Sequence, residues 1–480
     1  MKYEVVMGLE THAELDTDSK LFCGCSTKFG SEPNTQTCPI CLGMPGVLPV
    51  MNKKAFEYSL KAALALNCDI SKFTNFDRKS YYYPDLPKNY QISQNYFNLG
   101  NNGYVDIIVK GEKKRLGIHN VHLEEEAGKL IHPEKSDADY SLVDFNRAGI
   151  PLLEIVTEPD MRSVEEVESY MQTLRNILLY IGVSDCKMQE GSLRFEASIS
   201  LRRKGYDVYG NRVEIKNLNS MKAVLKVLAY EISRQSDLLD KGKEVLMETR
   251  LWDEVDAVSR RMRTKEEAHD YRYFPEPDLV PVWIDQKWID KVKATIPELS
   301  VNKRQRFVNE YSISDYDAGV LTEDRSFADY FEECVKLSQN SPKELSNWII
   351  NDVLRELNER KTNVQDFVVS PKMLVELVKI KPTIGSSIAK DVFVEMINTG
   401  KTAPSIVKEK NLTQLDDVSE LNDIVTKVIE ENPKAAEDYS QGKKGALTFL
   451  IGQTMKITKG KANPKILTEI LKERLSAGSK

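Results

Sequence analysis

Three adjacent carboxylates, Glu124, Glu125 and Glu126, constrain this chain more than any other stretch of it. They stand between a predicted strand and Gly128, and an extended chain places alternate side chains on opposite faces. Glu124 and Glu126 are therefore expected on one face, and Glu125 on the other. Unit charges about 4 Å apart repel by roughly 4 kcal/mol at an effective dielectric constant of about 20. Either water solvates this strand end, or a hard cation such as Mg²⁺, which takes carboxylate oxygens, offsets the charge.

Length and composition limit the classes of protein to consider. A chain of 480 residues exceeds one typical core, which predicts roughly two to four domains. Charged residues make up 29% and hydrophobic residues 41%, as is typical of globular proteins. The net charge of −6 gives no global basic signal, so nucleic acid would need a local basic patch. The sequence shows neither a signal peptide nor an apolar run of about 20 residues, which predicts a cytoplasmic protein without a membrane partner.

Four of the seven cysteines form two short pairs. Cys23 and Cys25 are followed, after twelve residues, by Cys38 and Cys41. This spacing predicts a tetrahedral zinc site on a small element at about residues 20–45. Four thiolates leave no open coordination position, so the zinc would be structural. Four unrelated reduced thiols are the alternative.

Further candidate ligands lie in two predicted strands. Residues 3–15 read as a strand that places Glu10 and His12 on the same face. Glu154 stands in a short apolar strand, where a carboxylate needs a partner. A structural hydrogen bond between Glu10 and His12 is the alternative to a shared ligand site.

A third group of charged side chains follows on a predicted hairpin. Residues 191–203 and 212–216 alternate between apolar and polar side chains, and the polar positions include Arg194, Glu196 and Lys216. One interpretation is a solvated outer face. The other is a floor that faces phosphate, with Arg and Lys as the donors.

The last part of the chain changes in character, because helical patterns dominate from about residue 296. We therefore predict an α+β fold: a mixed or antiparallel-sheet domain at 1–295 with the zinc-binding element, an all-helical domain at 296–405, and a small helical tail at 406–480. Residues 431–480 hold ten basic against five acidic side chains. This is either a local patch that binds nucleic acid or a lysine-rich surface, and its candidate phosphate-binding residues include Lys443, Lys444, Lys456, Lys459 and Lys461.

Several longer motifs resemble those of a known family. They are GLETHAEL at 8–15, YYYPDLPKNYQISQ at 81–94, HLEEEAGK at 122–129, FNRAGIPLLEIVTEPD at 145–160, EGSLRFEASIS at 190–200, VEIKNLNS at 213–220, HDYRYFPEPDL at 269–279 and GKANPK at 460–465. Together with the cysteine pairs they resemble GatB, the B subunit of glutamyl/aspartyl-tRNA amidotransferases. The resemblance runs nearly from end to end.

The resemblance implies both an activity and partners. GatB binds misacylated Glu-tRNA(Gln) or Asp-tRNA(Asn), uses ATP and Mg²⁺ to phosphorylate the side-chain carboxylate, and forms the amide with ammonia. The ammonia comes from glutamine through the amidase, or A, subunit, and a small C subunit completes a heterotrimer. The chain would thus be part of an ATP-dependent carbon–nitrogen ligase with glutamine as amido donor. Its sheet domain would be the family's cradle domain, and its tail would bind tRNA.

The resemblance also gives candidate residues their roles. A Mg²⁺ ion would be held by Glu10, His12, Glu125 and Glu154, and the substrate or its phosphates would be bound by Arg147, Arg194, Glu196 and Lys216. The chain departs from the family at one of these positions. Where GatB often has Cys-Asp-Ala-Asn, this chain has Phe195-Glu196-Ala197-Ser198, so its acid is one methylene longer.

Two other functions compete with this one. The first is a non-catalytic scaffold that binds tRNA, which requires the acidic residues to be dispersed in space. The second is a self-contained ATP-dependent ligase that uses free ammonia.

Overall fold

The computed structural model describes residues 2–133, 139–264, 271–338, 341–412, 418–441, 443–458, 462 and 464–477. The chain divides into two compact units, residues 1–300 and 301–480. The first unit combines a large sheet with helices, and the second is helical. The predicted α+β class is therefore confirmed. No helix in the described part of the chain is both long enough and apolar enough to cross a membrane.

The described part of the first unit contains strands and four helices. The strands are β1 (Tyr3–Glu14), β2 (Asp69–Ile70), β3 (Phe73–Thr74), β4 (Asp77–Ser80), β5 (Tyr90–Ser93), β6 (Gly100–Val109), β7 (Glu112–Glu125), β8 (Lys129–Ile131), β9 (Leu142–Asp144), β10 (Pro151–Thr157), β11 (Leu193–Arg203), β12 (Val213–Lys216), β13 (Glu248–Asp253), β14 (Val258–Thr264), β15 (Phe274–Pro275) and β16 (Val282–Trp283). The helices are α1 (Lys53–Ala65), α2 (Val164–Ile181), α3 (Met221–Asp240) and α4 (Gln286–Lys293).

Most of these strands form one sheet in the order β14-β13-β12-β11-β1-β10-β7-β5-β4-β15, with β6 and β2 continuing from β7. Neighbouring strands are antiparallel except for β12 and β13, which are parallel. Strand β1 lies in the middle, between β11 and β10. Side chains from strands far apart in sequence therefore meet near the centre of this sheet.

The two faces of the sheet differ in polarity because side chains alternate along each strand. On β1, Val5, Met7 and Leu9 are buried in a core that includes α1, α2 and α3. Glu10 and His12 lie on the other face, which we term the open face, and they are only partly buried. The fold thus presents polar side chains on a rigid floor.

Helices α1, α2 and α3 begin at residues whose side chains cap the helix. Asn52 accepts a hydrogen bond from the Lys54 N–H, and Ser163 accepts one from the Glu166 N–H. Ser220 caps α3 in the same way. Such caps satisfy N–H groups that the first helical turn leaves unpaired, so these helices start where the sequence dictates.

The second unit has two separate hydrophobic cores, one within residues 307–406 and one within residues 421–475. Its helices are α5 (Ser300–Tyr311), α6 (Asp315–Leu321), α7 (Arg325–Leu337), α8 (Pro342–Trp348), a π-helical turn (Ile349–Val353), α9 (Leu354–Arg360), a 3₁₀ turn (Val364–Asp366), α10 (Pro371–Ile384), α11 (Ser386–Thr399), α12 (Ala403–Lys410), α13 (Val418–Glu431), α14 (Pro433–Ser440), α15 (Lys444–Ile457) and α16 (Pro464–Ala477).

Candidate functional site

Three side chains from three neighbouring strands meet at the centre of the open face. His12 on β1 pairs in register with Glu154 on β10, and Glu124 on β7 lies opposite Leu152, two residues from Glu154. One potential ligand atom from each of His12, Glu124 and Glu154 lies within 4.8 Å of the others. We term these three residues the carboxylate–histidine group.

The distances within the group indicate mutual contact. The His12 Nε2 lies 3.5 Å from the Glu154 Oε2 and 3.8 Å from the Glu124 Oε1. A second imidazole lies beside them, because the His122 Nε2 is 3.1 Å from the same Glu154 oxygen. Two carboxylates and an imidazole fit a divalent cation that also takes substrate phosphates as ligands.

The electrostatics of the group follow from burial and mutual proximity. Burial and the charge of Glu154 raise the pKa of Glu124. Burial alone would raise the pKa of Glu154 as well, but His122 and His12 outweigh it and hold that pKa well below its usual range. Burial likewise disfavours the charged imidazole of His12, yet Glu154 and Glu124 raise its pKa to about 9. The neighbours of the two acids thus shift their pKa values in opposite directions.

Glu125 is the predicted ligand that the structure does not bring to this group. Its carboxylate accepts hydrogen bonds from the Lys88 ammonium and, at 2.8 Å, from the Ile92 N–H. Glu124 takes its place beside His12, because β7 extends through residue 125 and alternation sends neighbouring side chains to opposite faces.

Glu125 instead lines a cavity of about 80 Å³ on the other side of the strand, with Lys88, Lys20 and Cys41 among its lining residues. The backbone packs tightly there. A side chain at Gly43, whose φ is +65°, would collide with Lys88. Glu125 and Lys88 therefore form a buried, locally fixed ion pair.

The predicted substrate-binding cations all have partners. Arg194 donates to Glu126, and Arg147 donates to the backbone carbonyls of Ala127 at 3.2 Å and Gly128 at 2.7 Å. These contacts hold the chain that follows β7.

Lys216 and Glu196, two further predicted substrate-binding residues, form an ion pair on the open face. The Lys216 Nζ lies 2.7 Å from Glu196 and 3.2 Å from Glu214. Burial lowers the pKa of Lys216, but the two acids outweigh it and raise the pKa above its usual range. Glu196 is thus paired in the structure, one strand away from the carboxylate–histidine group.

Glu10 connects the group to a depression in the open face. Burial and the charge of Glu154 raise the pKa of Glu10 to about 7. The depression has a volume of about 270 Å³, and its floor includes the small residues Gly8, Ser198 and Ser200. Its remaining lining residues include Val156, Tyr209 and Arg212. A flat group of moderate size fits such a floor.

Sequence reasoning missed Glu124 and His122 as members of the site. Their common signal was present, because both stand at alternate positions near the end of β7. The missing information was the register, which pairs His122 with Glu154 and Glu154 with His12.

The four predicted zinc ligands do come together. The Sγ atoms of Cys23, Cys25, Cys38 and Cys41 all lie within 4.8 Å of one another, and the Cys38 and Cys41 Sγ atoms are 3.9 Å apart. Tetrahedral zinc with Zn–S bonds near 2.3 Å requires sulfur separations of about 3.8 Å. The thiol arrangement therefore fits a zinc ion.

A buried lysine stabilises negative charge on this cluster. The Lys20 Nζ is 3.7 Å from the Cys41 Sγ and donates to the carbonyl of Gln36 at 2.8 Å. A hydrogen bond from Cys23, with Lys20 nearby, lowers the pKa of Cys41 to about 4. A thiolate is the form that ligates zinc.

The predicted tRNA-binding lysines are described only in part. Lys443 is exposed but lies 2.8 Å from Asp438, and Lys456 is exposed on α15. Lys444 begins α15, with its side chain outside the described part of the chain. Lys459 and Lys461 lie outside the described residues.

Comparisons with known proteins cover nearly the whole chain. A family model described as the GatB/GatE catalytic domain matches residues 5–290, and a second, described as the GatB domain, matches residues 329–475. The chain is 54% identical over 478 residues to the B subunit of the aspartyl/glutamyl-tRNA(Asn/Gln) amidotransferase of Caldanaerobacter subterraneus subsp. tengcongensis, covering 99% of this chain and 100% of the relative.

Two further relatives carry the same name. The protein of Caldicellulosiruptor saccharolyticus is 54% identical over 480 residues, with 99% of each chain covered. That of Moorella thermoacetica is 52% identical over 477 residues, with 99% of this chain and 100% of the relative covered. The resemblance seen in the motifs is thus confirmed, and the chain belongs to the GatB family.

Proposed function

We propose that this chain is the B subunit of a glutamine-dependent tRNA amidotransferase that acts on Glu-tRNA(Gln), Asp-tRNA(Asn) or both. The observation that carries this proposal is the carboxylate–histidine group on the open face, beside a depression of about 270 Å³. The partners would be the amidase (the A subunit), the small C subunit and the misacylated tRNA.

The chemistry has two steps. An oxygen of the aminoacyl side-chain carboxylate attacks the γ-phosphorus of ATP, and the bond between that phosphorus and the bridging oxygen breaks, releasing ADP. Ammonia then attacks the carbonyl carbon of the acyl phosphate. The carbon–oxygen bond to phosphate breaks, phosphate leaves, and the nitrogen loses a proton to give the amide.

The residues of the group suit the first step. His12, Glu124 and Glu154 would hold Mg²⁺, which when bound supplies positive charge against phosphate oxygens. His122 contacts Glu154 and fixes the position of its carboxylate. Glu196 and Lys216 form a partly buried ion pair beside this site and would help to position the triphosphate.

The depression next to Glu10 would take the nucleoside of ATP. Its floor of Gly8, Ser198 and Ser200 leaves room for a flat ring, and Tyr209 and Arg212 stand at its side. Glu10 lines the depression, and it lies close enough to Glu154 for the charge of Glu154 to raise its pKa. A nucleotide bound in the depression would therefore extend its phosphates toward the carboxylate–histidine group.

We also propose that the four clustered cysteines hold a structural zinc ion. The sulfur separations and the buried Lys20 support this assignment. All four coordination positions would be filled, so this ion would take no part in the chemistry.

The tail would bind the body of the tRNA through lysine contacts to phosphate. Removing one such lysine lowers the slope of log affinity against log salt by about 0.9 for duplex regions. Lys456→Ala should reduce this slope by about that amount, whereas Lys372→Ala, an exposed lysine on α10 outside the tail, should not. Filter binding over a salt series measures both, and equal slopes would leave the tail without a role in binding.

The main test uses the complex with the A and C subunits and misacylated tRNA carrying labelled Glu or Asp. Amide formation should require ATP, and either glutamine or ammonium should supply the nitrogen. Testing each aminoacyl-tRNA separately shows which substrate is used. Failure to form either amide with ATP and ammonium present would contradict the proposal.

The two competing functions give different results. A scaffold would not bind a fluorescent ATP analogue in a Mg²⁺-dependent way when the chain is tested alone. A self-contained ligase would amidate tRNA with ammonium in the absence of the A and C subunits at the rate of the complex.

A further inference from the structure

Lys79 is a cation on the open face that none of the roles above uses. On β4 it pairs in register with Gln91, and Ser93, two residues further along β5, lies opposite Glu124. Residues paired across neighbouring strands share a face, as do alternate residues of one strand. Lys79 therefore lies on the same face as the carboxylate–histidine group.

The ammonium of Lys79 has no ion pair within the described part of the chain, and in this it differs from three cations around the site. Among the described residues, no carboxylate oxygen lies within 4.0 Å of its Nζ. Arg194, Lys216 and Lys88 each have a carboxylate partner at that range. Lys79 is thus a cation of the open face that remains available to an incoming anion.

The charge of Lys79 is nevertheless secure. Burial lowers the pKa of its amine, but Glu124 and Glu154 outweigh burial and raise that pKa above its usual range. The same two residues belong to the carboxylate–histidine group. The ammonium therefore lies within the electrostatic reach of the reaction centre without being bound to it.

Two tyrosine rings lie beside this cation. The Lys79 Nζ lies 5.0 Å from the centre of the Tyr271 ring and 5.9 Å from that of Tyr81. Neighbouring ring centres are 6.1 Å apart for Tyr81 and Tyr271, and 6.0 Å apart for Tyr271 and Tyr273. The rings of Tyr271 and Tyr81 hold the amine by cation–π contacts.

The order of strands places Lys79 and the depression on opposite sides of the group. The depression is lined by residues of β1, β10 and β11, whereas Lys79 is on β4, beyond β7 and β5. In phosphoryl transfer the attacking and leaving oxygens stand roughly in line, on opposite sides of the phosphorus. If ADP leaves on the side of the depression, the attacking oxygen must come from the side of Lys79.

We propose that Lys79 binds the side-chain carboxylate of the misacylated tRNA and directs one of its oxygens at the γ-phosphorus of ATP. This inference rests on the function proposed above. The bond formed joins carboxylate oxygen to phosphorus, and the electrons of the broken phosphorus–oxygen bond leave with ADP. The ammonium offsets the charge of the carboxylate, which must approach a triphosphate and two acidic side chains. Lys79 is in this sense a catalytic residue, because it touches the reacting group.

A purely structural role is the competing explanation for Lys79. Its charge would then only offset Glu124 and Glu154, and its loss would disturb the group itself. The two explanations differ in what they predict for nucleotide binding. Binding of Mg²⁺ and ATP depends on the group, whereas the proposed role concerns only the acceptor carboxylate.

The experiment compares Lys79→Met, Lys79→Arg and wild type in the complex with the A and C subunits. Lys72→Met is the matched control, because Lys72 is an exposed lysine just upstream of β4. Two quantities are measured: Mg²⁺-dependent binding of a fluorescent ATP analogue, and amide formation from misacylated tRNA with ATP and ammonium.

Lys79→Met should lower kcat/KM for the misacylated tRNA by about 10²- to 10³-fold, as is typical when a charge-stabilising donor is removed. Its affinity for the fluorescent ATP analogue should stay close to that of wild type. Lys79→Arg, which keeps the charge, should recover part of the activity, and Lys72→Met should resemble wild type.

Two results would overturn the inference while leaving the proposed function intact. One is a wild-type kcat/KM for Lys79→Met. The other is a parallel loss of nucleotide binding in both Lys79 variants, which would assign Lys79 a structural role. If the wild-type complex itself forms no amide, the proposed function fails and the inference fails with it.

Discussion

Two groups of potential metal ligands lie on opposite sides of the end of β7, and they balance their charges in different ways. On the side that Glu125 faces, which we term the cysteine side, each charge has a buried partner: Lys88 pairs with Glu125, and Lys20 contacts Cys41. On the open face, Glu124 and Glu154 lie close enough that the charge of Glu154 raises the pKa of Glu124. Glu125 and Glu124 are adjacent in β7 but lie in two different sites. The charge of Glu125 is paired, whereas Glu124 lies close to the like charge of Glu154.

This difference in charge balance is what we expect between a structural site and a reactive one. Charges that are paired within the fold stabilise it and have little left to offer a ligand. Carboxylates that oppose each other are held in place by the surrounding sheet, and they gain most when a cation arrives. We therefore expect changes on the cysteine side to affect stability, and changes on the open face to affect ligand binding.

The largest effect is expected from removing the proposed zinc. Structural zinc sites in small domains contribute roughly 10 kcal/mol or more to folding, and Cys23, Cys25, Cys38 and Cys41 hold the element together from four positions. Cys38→Ser should lose zinc and unfold this element.

Elemental analysis and limited proteolysis measure these two outcomes. Cys68→Ser is the matched control, since Cys68 is a buried cysteine outside the cluster, and it should retain one zinc per chain. Wild-type protein that is purified without chelator and contains no zinc would refute the assignment.

The second test breaks the ion pair on the cysteine side. Glu125→Gln leaves the Lys88 ammonium buried without its counter-charge, which should cost about 3–5 kcal/mol of unfolding free energy. Adding Lys88→Met removes the second charge and should restore most of the loss. Urea denaturation measures the free energies, and Mg²⁺-dependent binding of the fluorescent ATP analogue should survive in both variants. If Glu125→Gln alone is as stable as wild type, the ion pair between Lys88 and Glu125 is not isolated from water.

Glu124→Gln, one residue earlier, should not lower the free energy of unfolding as Glu125→Gln does. Glu124→Gln removes a charge that is opposed by Glu154, so the metal-free protein should be as stable as wild type or slightly more stable. Amide formation should fall about 10³-fold, because the group loses one of its two carboxylates and the charge that would hold a cation. If Glu124→Gln destabilises the fold and Glu125→Gln does not, the contrast between the two sides is wrong.

Much of the scaffold of this site was readable from the sequence. The prediction of a strand at residues 3–15 corresponds to β1 at Tyr3–Glu14, and alternation placed Glu10 and His12 on one face. The same rule separated Glu124 from Glu125. Alternation could not say whether Glu124 or Glu125 faces His12, because that depends on the register of β1, β10 and β7. Strands β1 and β7 are about a hundred residues apart in the sequence.

The partners supplied by loops were also beyond sequence reasoning. Lys88 lies between β4 and β5, and nothing in its local pattern indicates a contact with Glu125. Lys79 and Tyr271 meet although nearly two hundred residues separate them. Periodicity predicts on which face of its own strand a side chain lies. It does not predict contacts between residues far apart in sequence, because these depend on how the chain folds.

The smallest expected effect concerns the pKa of Glu10. It tests the contrast between the open face and the cysteine side through the pH dependence of stability, without added ligand. Burial and Glu154 raise the pKa of Glu10 from 4.5 to about 7, so folding favours its neutral form. The stabilisation is fully present below the unfolded pKa of 4.5 and is lost as the pH rises through about 7. In the presence of chelator, wild type should therefore lose about 3 kcal/mol relative to Glu10→Gln between roughly pH 5 and pH 8.

Glu4, near the start of the same strand, is the matched control with the opposite sign. A hydrogen bond from Arg202 lowers the pKa of Glu4, so its contribution is present above the unfolded pKa and is lost as the pH falls. Added Mg²⁺ should flatten the alkaline loss that Glu10 causes, because a cation near Glu154 favours the ionised carboxylate. It should leave the acid-side loss from Glu4 unchanged. A Mg²⁺ effect of equal size at both positions would mean that the cation acts on the whole sheet rather than at the carboxylate–histidine group.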